Sequence, residues 1–170
     1  GANSLEAARL YSKMGKVCIH RNKLDRSLEY YLKSLKIQIS QLGESDLGVA
    51  HTRLEIGGVY CQQTGQLQMA QQEYEKGLKV LLSLRGEEHL EVAECYARLS
   101  VVYCRQESYA DAYEALRKAL PTSILKLGAT QKKVANLHKN LAIVCDQLEK
   151  WNEALDNYDK CIEIYSKEVR

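Results

Sequence analysis

The stretch LSVVYCRQESYADAYEALRKAL, residues Leu99–Leu120, contains two helical patterns separated by a tight turn. Its apolar residues recur at spacings of three and four, which places them along one side of each helix. The polar pair Glu107-Ser108 lies between the two patterns and marks the turn. The stretch therefore predicts a hairpin of two α-helices with one apolar side.

The same pattern returns along the chain at intervals of 42 or 43 residues. LSVVYC at Leu99 aligns with IGGVYC at Ile56, LAIVCD at Leu141 and, more loosely, MGKVCI at Met14. The equivalent small residues of the second helices are Ser27, Ala70, Ala112 and Ala154. The two series disagree by one residue in the second unit, so we expect one extra residue in its turn, near Gly65. Four consecutive helical hairpins are predicted.

The periodicity predicts eight helices. They cover about residues 4–21, 24–42, 46–63, 67–84, 88–106, 109–127, 130–148 and 151–168. Gly43, Gly86 and Gly128 follow the second helix of the first three units, as helix stops commonly do. Pro121 falls inside the sixth helix, where it removes a backbone hydrogen bond and is expected to bend the helix. Because one hairpin cannot bury its apolar side alone, the fold is predicted to be all-α, a superhelix of four antiparallel helical hairpins.

The composition is that of an ordinary folded protein, with 45% hydrophobic and 27% charged residues in 170. No apolar run approaches the roughly 18 residues of a membrane-spanning helix, so no membrane insertion is expected. A formal net charge of +2 does not indicate nucleic-acid binding. The six cysteines lack the spacing of a zinc site or a disulfide framework, and are interpreted as packing residues in a reducing cytoplasm. No metal and no cofactor are predicted.

An enzyme is the competing class, and the sequence gives no support for it. The four histidines have no HExxH spacing, no glycine-rich phosphate loop follows a strand, and no serine or cysteine lies in a recognisable nucleophile elbow. We therefore expect no catalytic residues and no enzymatic activity.

The first helices resemble the tetratricopeptide signature W-x2-L-G-x2-Y, which is followed in the second helix by A-x3-F. The matching residues are Tyr11, Met14, Gly15 and Cys18 in the first unit, Tyr96, Leu99, Ser100 and Tyr103 in the third, and His138, Leu141, Ala142 and Cys145 in the fourth. The second unit is the least typical, with Arg53 and Gly57 at the first and third signature positions. The period of 42 exceeds the usual 34 and is similar to the long repeats of the kinesin light chain and nephrocystin type.

The resemblance covers nearly everything after Ser4 and implies the domain organisation. Residues 1–4 lack an initiator methionine and are interpreted as a short remnant that is not part of the folded domain. Residues 5–170 are predicted to form a single tetratricopeptide domain, expected to be a fragment of a longer protein. Its repeats are about 5–46, 47–88, 89–130 and 131–170.

In such a fold, ligands bind the concave face, which the first helix of each pair lines. Placing Val17, Val59, Val102 and Val144 toward the core sets the opposite, ligand-facing side through the 3.6-residue period. The predicted peptide-binding residues on that side are Arg9, Lys13, Lys16, His51, Leu54, Gly58, Arg98, Val101, Arg105, Asn136, Lys139, Asn140 and Ile143.

Two features of this face indicate its ligand. Basic side chains outnumber acidic ones around a shallow apolar floor that includes Leu54 and Val101, although a helix phase shifted by one position would make both core residues. Asn136 and Asn140 lie one turn apart, and amides can bond a peptide backbone as donor and acceptor. Acids such as Glu55 at the matching positions argue against the lysine and asparagine clamp with which some family members hold a chaperone carboxylate.

The resemblance to kinesin light chains implies recognition of a short extended peptide with an aromatic residue beside acidic ones, which an apolar floor with basic flanks would suit. The predicted function is therefore a non-catalytic, cytoplasmic adaptor that binds an acidic, partly apolar segment of a partner protein. The alternative is a structural scaffold. In that case Ile162 and Tyr165, exposed on the last hairpin, would mediate self-association or pack on further repeats.

Overall fold

A computed structural model describes residues 4–168, apart from the side chain of Glu168. These residues form eight α-helices and no strand: α1 (Leu5–His20), α2 (Leu24–Leu42), α3 (Leu47–Gln62), α4 (Leu67–Arg85), α5 (Leu90–Arg105), α6 (Tyr109–Leu127), α7 (Lys132–Gln147) and α8 (Trp151–Glu168). The eight predicted helices are confirmed, each to within two residues at either end. The chain divides into two compact units, residues 1–84 and 85–170, which we describe separately.

The helix ends follow the local chemistry of the sequence. Ser4 Oγ accepts a hydrogen bond from the Ala7 N–H at 3.2 Å, and Asp46 Oδ1 accepts one from the Gly48 N–H at 2.7 Å, so each satisfies a backbone donor that the helix leaves open. Gly43 ends α2 with φ +82°, a left-handed conformation that glycine adopts without strain. In contrast, α6 continues through Pro121 and ends at Leu127.

Each hairpin turn contains one residue with positive φ. These residues are Asn22, Gly65, Glu107 and Glu149, each two positions before its second helix. The turn has three residues in the first, third and fourth hairpins and four in the second. The extra residue predicted near Gly65 is therefore confirmed.

In the first unit, α1 and α2 are antiparallel and are joined by buried hydroxyl groups. Ser34 Oγ donates to the Ala8 carbonyl at 2.7 Å, and Ser27 Oγ donates to the Gly15 carbonyl at 2.8 Å. Gly15 lies against the Tyr31 ring, and a Cβ at this position would be 2.9 Å from the ring carbons. The absence of a side chain at Gly15 thus lets the two helices approach closely around Tyr31.

A similar close approach joins α3 and α4. A Cβ at Gly57 would lie 2.8 Å from the Tyr74 ring, and one at Gly77 would lie 2.7 Å from Leu54 Cδ2. Position 57 therefore faces position 74 while position 54 faces position 77, which is the order expected of an antiparallel pair. Small residues set the helix spacing at both crossings.

The second helix of one hairpin packs on the first helix of the next in both units. In the first unit, Tyr31 and Leu35 of α2 form a core with residues of α3, namely Val49, Ile56 and Val59. In the second unit, Leu116 and Ala119 of α6 pack in the same way on Leu137, Leu141 and Val144 of α7. Burial of these side chains is the main stabilising contribution to the stacking of hairpins.

One predicted core residue is not buried. Val59, Val102 and Val144 are fully buried, as expected, but Val17 is 55% exposed. The reason is its place in the chain: Val59 and Val144 lie in cores shared with the preceding helices α2 and α6, whereas α1 is the first helix of the described residues. The prediction that Val17 faces the core is therefore wrong.

Candidate functional site

A cavity of about 620 Å³ opens on the first unit and gathers four of the predicted residues. Arg9, Lys13 and Lys16 reach it from α1, and His51 reaches it from α3. Spacings of three and four on α1 place the three basic residues on one side of that helix. The two first helices of the unit therefore share one polar, basic surface, which we call the first pocket.

The charges of the first pocket are partly compensated. Arg9 Nη1 lies 3.6 Å from Glu6 Oε2, a weak pair because both side chains are exposed. Glu55 accepts a long hydrogen bond of 3.4 Å from the Tyr31 hydroxyl, and burial together with the Glu55 carboxylate raises the pKa of Tyr31. Within residues 4–168, Lys13 and Lys16 have no hydrogen-bond or ion-pair partner. Three basic side chains thus face two acidic ones, and the uncompensated charge is on the two lysines.

The second helix α2 also contributes to the first pocket, which the sequence did not indicate. Gln38 lines it and accepts a hydrogen bond of 2.7 Å from Thr52 Oγ1. On the same side of α2, the Ser34 hydroxyl lies 2.8 Å from the hydroxyl of Ser12, another lining residue. The available signal was the pair of polar residues Ser34 and Gln38, spaced by four on the side of α2 that faces α1 and α3.

A cavity of about 440 Å³ on the second unit gathers four other predicted residues. Arg98 and Val101 come from α5, and Asn136 and Asn140 from α7. The apolar part of its wall is formed by Ala97, Val101, Leu127 and Leu137. We call this surface the second pocket, and its wall is more apolar in residue type than that of the first.

The two asparagines of the second pocket differ in their remaining hydrogen-bonding capacity. Asn136 Oδ1 accepts a 2.7 Å hydrogen bond from the Tyr165 hydroxyl, which leaves its amide N–H groups to donate. Asn140 has no hydrogen-bond partner among the described residues, so both ends of its amide are available. Lys133 Nζ lies 2.7 Å from Glu94 Oε1 at the rim, and Arg98 is the other basic side chain that lines the pocket.

The remaining predicted residues lie outside both pockets. Leu54 is only 8% exposed and is wedged against Gly77 between α3 and α4, so the prediction that it forms part of the groove floor is wrong. Gly58 is half-buried, and a Cβ there would lie 3.5 Å from the Tyr74 hydroxyl. Three further predicted residues are exposed but are not among the described residues that line either pocket, namely Arg105, Lys139 and Ile143.

A buried ion pair that the sequence did not predict lies beside these surfaces in the first unit. Arg53 Nη1 contacts Glu73 Oε2 at 3.0 Å, and both residues are only 7% exposed. Lys76 Nζ bonds the other oxygen of Glu73 at 2.7 Å, and Arg53 Nη2 lies 3.6 Å from Glu44. The unusual arginine at the first signature position of this repeat therefore links α3 to α4.

The equivalent position of the last repeat uses a neutral pair. His138 Nδ1 lies 2.8 Å from Asn157 Oδ1, and Asn157 Nδ2 donates to the Glu153 carbonyl at 2.8 Å. Because the amide N–H is committed to that carbonyl, its oxygen must face the ring and accept from the imidazole Nδ1–H. This pair links α7 to α8.

Metal ligands, membrane-spanning helices and thiols are the remaining features of the described residues. No group of three or more His, Cys, Asp or Glu side chains within them could hold a metal ion, and none of their helices is long and apolar enough to cross a membrane. The six cysteines are free thiols. Burial raises the pKa of Cys95 to about 12, and burial together with the Glu153 carboxylate raises the pKa of Cys145 to about 11, so both thiols are neutral and poorly nucleophilic.

Comparison with protein families settles what the repeats are. A family model described as tetratricopeptide repeat matches residues 6–83, 54–124 and 97–167 in overlapping segments. The chain belongs to the tetratricopeptide repeat family. No curated protein sequence matches it significantly.

Solved structures share this tetratricopeptide fold over almost the whole chain. BtubC (BKLC) from P. vanneervenii superposes with a TM-score of 0.87 at 21% identity, covering 95% of this chain and 64% of that one. A putative kinesin light chain from P. anserina with nearly identical TPR-like repeats gives 0.85 at 17% identity, covering 98% and 79%. The apo form of RapI gives 0.83 at 19% identity, covering 96% and 58%. The predicted all-α tetratricopeptide fold, with its similarity to kinesin light chain repeats, is thereby confirmed.

Proposed function

We propose that this tetratricopeptide protein is a non-catalytic adaptor that binds an extended, acidic and partly apolar segment of a partner protein. Folds of this family generally mediate protein–protein interaction. The preference for an acidic ligand is supported by the pair Lys13 and Lys16, which project into the first pocket with no partner among residues 4–168. Two unpaired ammonium groups one turn apart are suited to the carboxylates of an acidic peptide.

The second pocket offers a subsite for an apolar side chain. Its volume of about 440 Å³ lies within the range of small-molecule sites and is sufficient for an aromatic side chain. Val101, 40% exposed, and Ala97 offer apolar contact, while the amide of Asn140 can bond the peptide backbone on both its donor and acceptor sides. With Arg98 also in its lining, the second pocket by itself suits a segment that carries an aromatic residue near an acidic one.

The first test is charge reversal in the first pocket. Binding of a fluorescent peptide with an aromatic residue between glutamates is measured by anisotropy at low and high salt. We expect Lys13→Glu/Lys16→Glu to weaken binding at least about tenfold, and added salt to weaken binding to the wild type, because the contact is exposed and screened. The control Lys36→Glu/Lys79→Glu makes the same change in net charge at exposed lysines that line neither pocket. Equal loss in both double variants would leave only a general charge effect and refute the site.

The second test uses Arg98 and Arg105, which the sequence placed in one site. Arg98→Glu is expected to weaken the peptide severalfold more than Arg105→Glu, because only Arg98 lines the second pocket. A peptide with alanine in place of its aromatic residue should bind the wild type more weakly, but should lose little further affinity for Val101→Asp. Unchanged binding of the aromatic peptide to Val101→Asp would contradict the proposed apolar subsite.

We also infer that the protein works in a reducing compartment such as the cytoplasm, because six free thiols are typical of proteins kept reduced. Fractionation of cells that express the tagged protein checks this, and recovery from an oxidising compartment would contradict it.

A further inference from the structure

We propose that two copies of this chain associate head to tail, with α1 of one copy packed on α8 of the other. The two apolar stripes lie outside the two pockets, whereas the basic side chains of α1 that favour the contact also line the first pocket. Two exposed apolar stripes, one on α1 and one on α8, support the proposal. At the equivalent positions of the other repeats, such stripes pack against each other.

The first stripe lies on α1. Leu10, Met14 and Val17 are 52%, 43% and 55% exposed, and their spacing of four and three places them on one side of the helix. Three adjacent large apolar side chains on one helix face differ from the scattered apolar residues that any protein surface carries.

The repeat register shows what kind of surface covers this stripe. In α3 and α7, the residues equivalent to Met14 are Ile56 and Leu141, which are 0% and 3% exposed. Those residues lie in cores formed with the helix that precedes them, α2 for Ile56 and α6 for Leu141. The stripe on α1 is thus the kind of surface on which the second helix of a hairpin packs.

The second stripe lies on α8 and has the complementary character. Trp151, Leu155 and Ile162 are 56%, 63% and 64% exposed. Their equivalents belong to, or pack against, the cores that the following first helix shares in both units: Leu24, Leu28 and Leu35 in α2, and Tyr109, Tyr113 and Leu120 in α6. In contrast, Tyr165 of α8 is half-buried and its hydroxyl bonds Asn136, so only Ile162 of the two residues predicted to be exposed belongs to this stripe.

Charge favours pairing of unlike ends over pairing of like ends. By sequence α1 carries three basic and one acidic side chain, whereas α8 carries five acidic and two basic ones. Contact of α1 with α8 therefore attracts, while contact of α1 with α1 or of α8 with α8 repels. A contact between unlike ends leaves one stripe of each kind open in the dimer, so association continues into longer chains unless it closes into a ring.

Light scattering after size exclusion tests the proposal on the full chain, from about 10 μM to about 1 mM. We expect the mass of the wild type to rise above the 19.3 kDa of one copy as concentration increases. Met14→Glu and Leu155→Glu each place a charge in the apolar contact and should lower the association constant at least about tenfold. The control Leu125→Glu changes a 73% exposed leucine outside both stripes and should associate like the wild type. Circular dichroism confirms that each surface variant is folded.

Mixing the two defective variants separates head-to-tail association from the symmetric alternatives. Met14→Glu retains its α8 stripe and Leu155→Glu retains its α1 stripe, so an equimolar mixture should form a dimer that grows no further. A contact between two α1 helices would be lost in Met14→Glu alone, and one between two α8 helices would be lost in Leu155→Glu alone. Either of those two patterns would overturn the proposal. So would a mixture that forms no dimer, or a wild type whose mass stays at 19.3 kDa at every concentration.

Discussion

The first signature position of the repeat is occupied by Arg53 in the first unit and by His138 in the second, and the two solve one packing problem differently. Both bridge the helices of their hairpin, and both contact the residue three positions after the small residue of the second helix, Glu73 or Asn157. All four residues are buried. Both Arg53 and His138 are long enough to reach the neighbouring helix and form a hydrogen bond there.

The two solutions differ in what happens when one partner is lost. Removing one member of a buried ion pair leaves an uncompensated charge in a region of low polarity, whereas removing one member of a neutral pair leaves an unsatisfied dipole. Arg53 depends on Glu73, since its other acidic neighbour, Glu44, lies 3.6 Å away and is mostly exposed. The first unit should thus be the more sensitive of the two at this position.

The largest predicted effect tests this difference directly. Glu73→Ala should lower the free energy of unfolding by about 3–5 kcal/mol, because Arg53 remains buried without its carboxylate. Asn157→Ala at the equivalent position should cost only about 1–2 kcal/mol. Urea unfolding followed by circular dichroism measures both, and equal losses would remove the distinction between the two units.

A paired replacement sharpens the same comparison. Arg53→Met/Glu73→Leu removes both charges together and should change the free energy of unfolding by less than about 1 kcal/mol in either direction. A loss as large as that of Glu73→Ala would mean that the ion pair itself stabilises the hairpin.

A smaller effect is predicted where the helices cross. A Cβ at Gly15 would lie 2.9 Å from the Tyr31 ring, whereas the equivalent of this pair in the second unit is Ser100 with Leu116. Gly15→Ala should cost about 1–2 kcal/mol, and Ser100→Ala should cost less than about 1 kcal/mol. In a Tyr31→Leu background the alanine should be tolerated better, which a double-mutant cycle of urea unfolding measures. Independent, additive losses would contradict close packing as the cause.

The smallest predicted effect concerns thiol accessibility. Cys18 and Cys61 of the first unit are half-buried, whereas three of the four cysteines of the second unit are buried, namely Cys95, Cys145 and Cys161. At pH 8, alkylation followed by mass spectrometry should label the first two well before the other three. Prompt labelling of Cys95 in folded protein would contradict its burial.

The raised thiol pKa also predicts a dependence of stability on pH. Because the folded state holds Cys95 with a pKa of about 12 against an ordinary value of 9.0, its contribution to stability is complete below pH 9 and declines as pH rises toward 12. Cys95→Ala should reduce the loss of stability between pH 8 and pH 11, which thermal unfolding measures. If Cys95→Ala loses as much stability over this pH range as the wild type, the pH dependence comes from other groups.

The helices and the extra turn residue could be predicted from the sequence because the same pattern occurs in it four times. Periodicity fixes which side of a helix is apolar, but it does not reveal whether a neighbour covers that side, and this is why Val17 was assigned to the core. The error at Leu54 has a different cause. Gly77 on the facing helix has no side chain, so Leu54 fills the space there instead of reaching the surface.

The pockets were predicted only in part for a related reason. Residues of the first helices share a register, and Lys13, Lys16, Arg98 and Asn140 were found from it. Gln38 and Leu127 lie near the ends of second helices, and their side chains reach the pockets across a helix crossing that depends on three-dimensional packing. Sequence spacing along one helix contains no information on that crossing.

The second hairpin carries one more turn residue than the others, yet its helices keep the 16 and 19 residues of the first and third hairpins. Gln63, in that longer turn, donates a 2.8 Å hydrogen bond to Asp25 at the start of α2, so the added length is held by a polar contact at the surface. The bend of a hairpin can therefore change in length without disturbing the helices that it joins. The same turns in the other three repeats are natural places to insert an epitope or a reporter loop while both pockets stay intact.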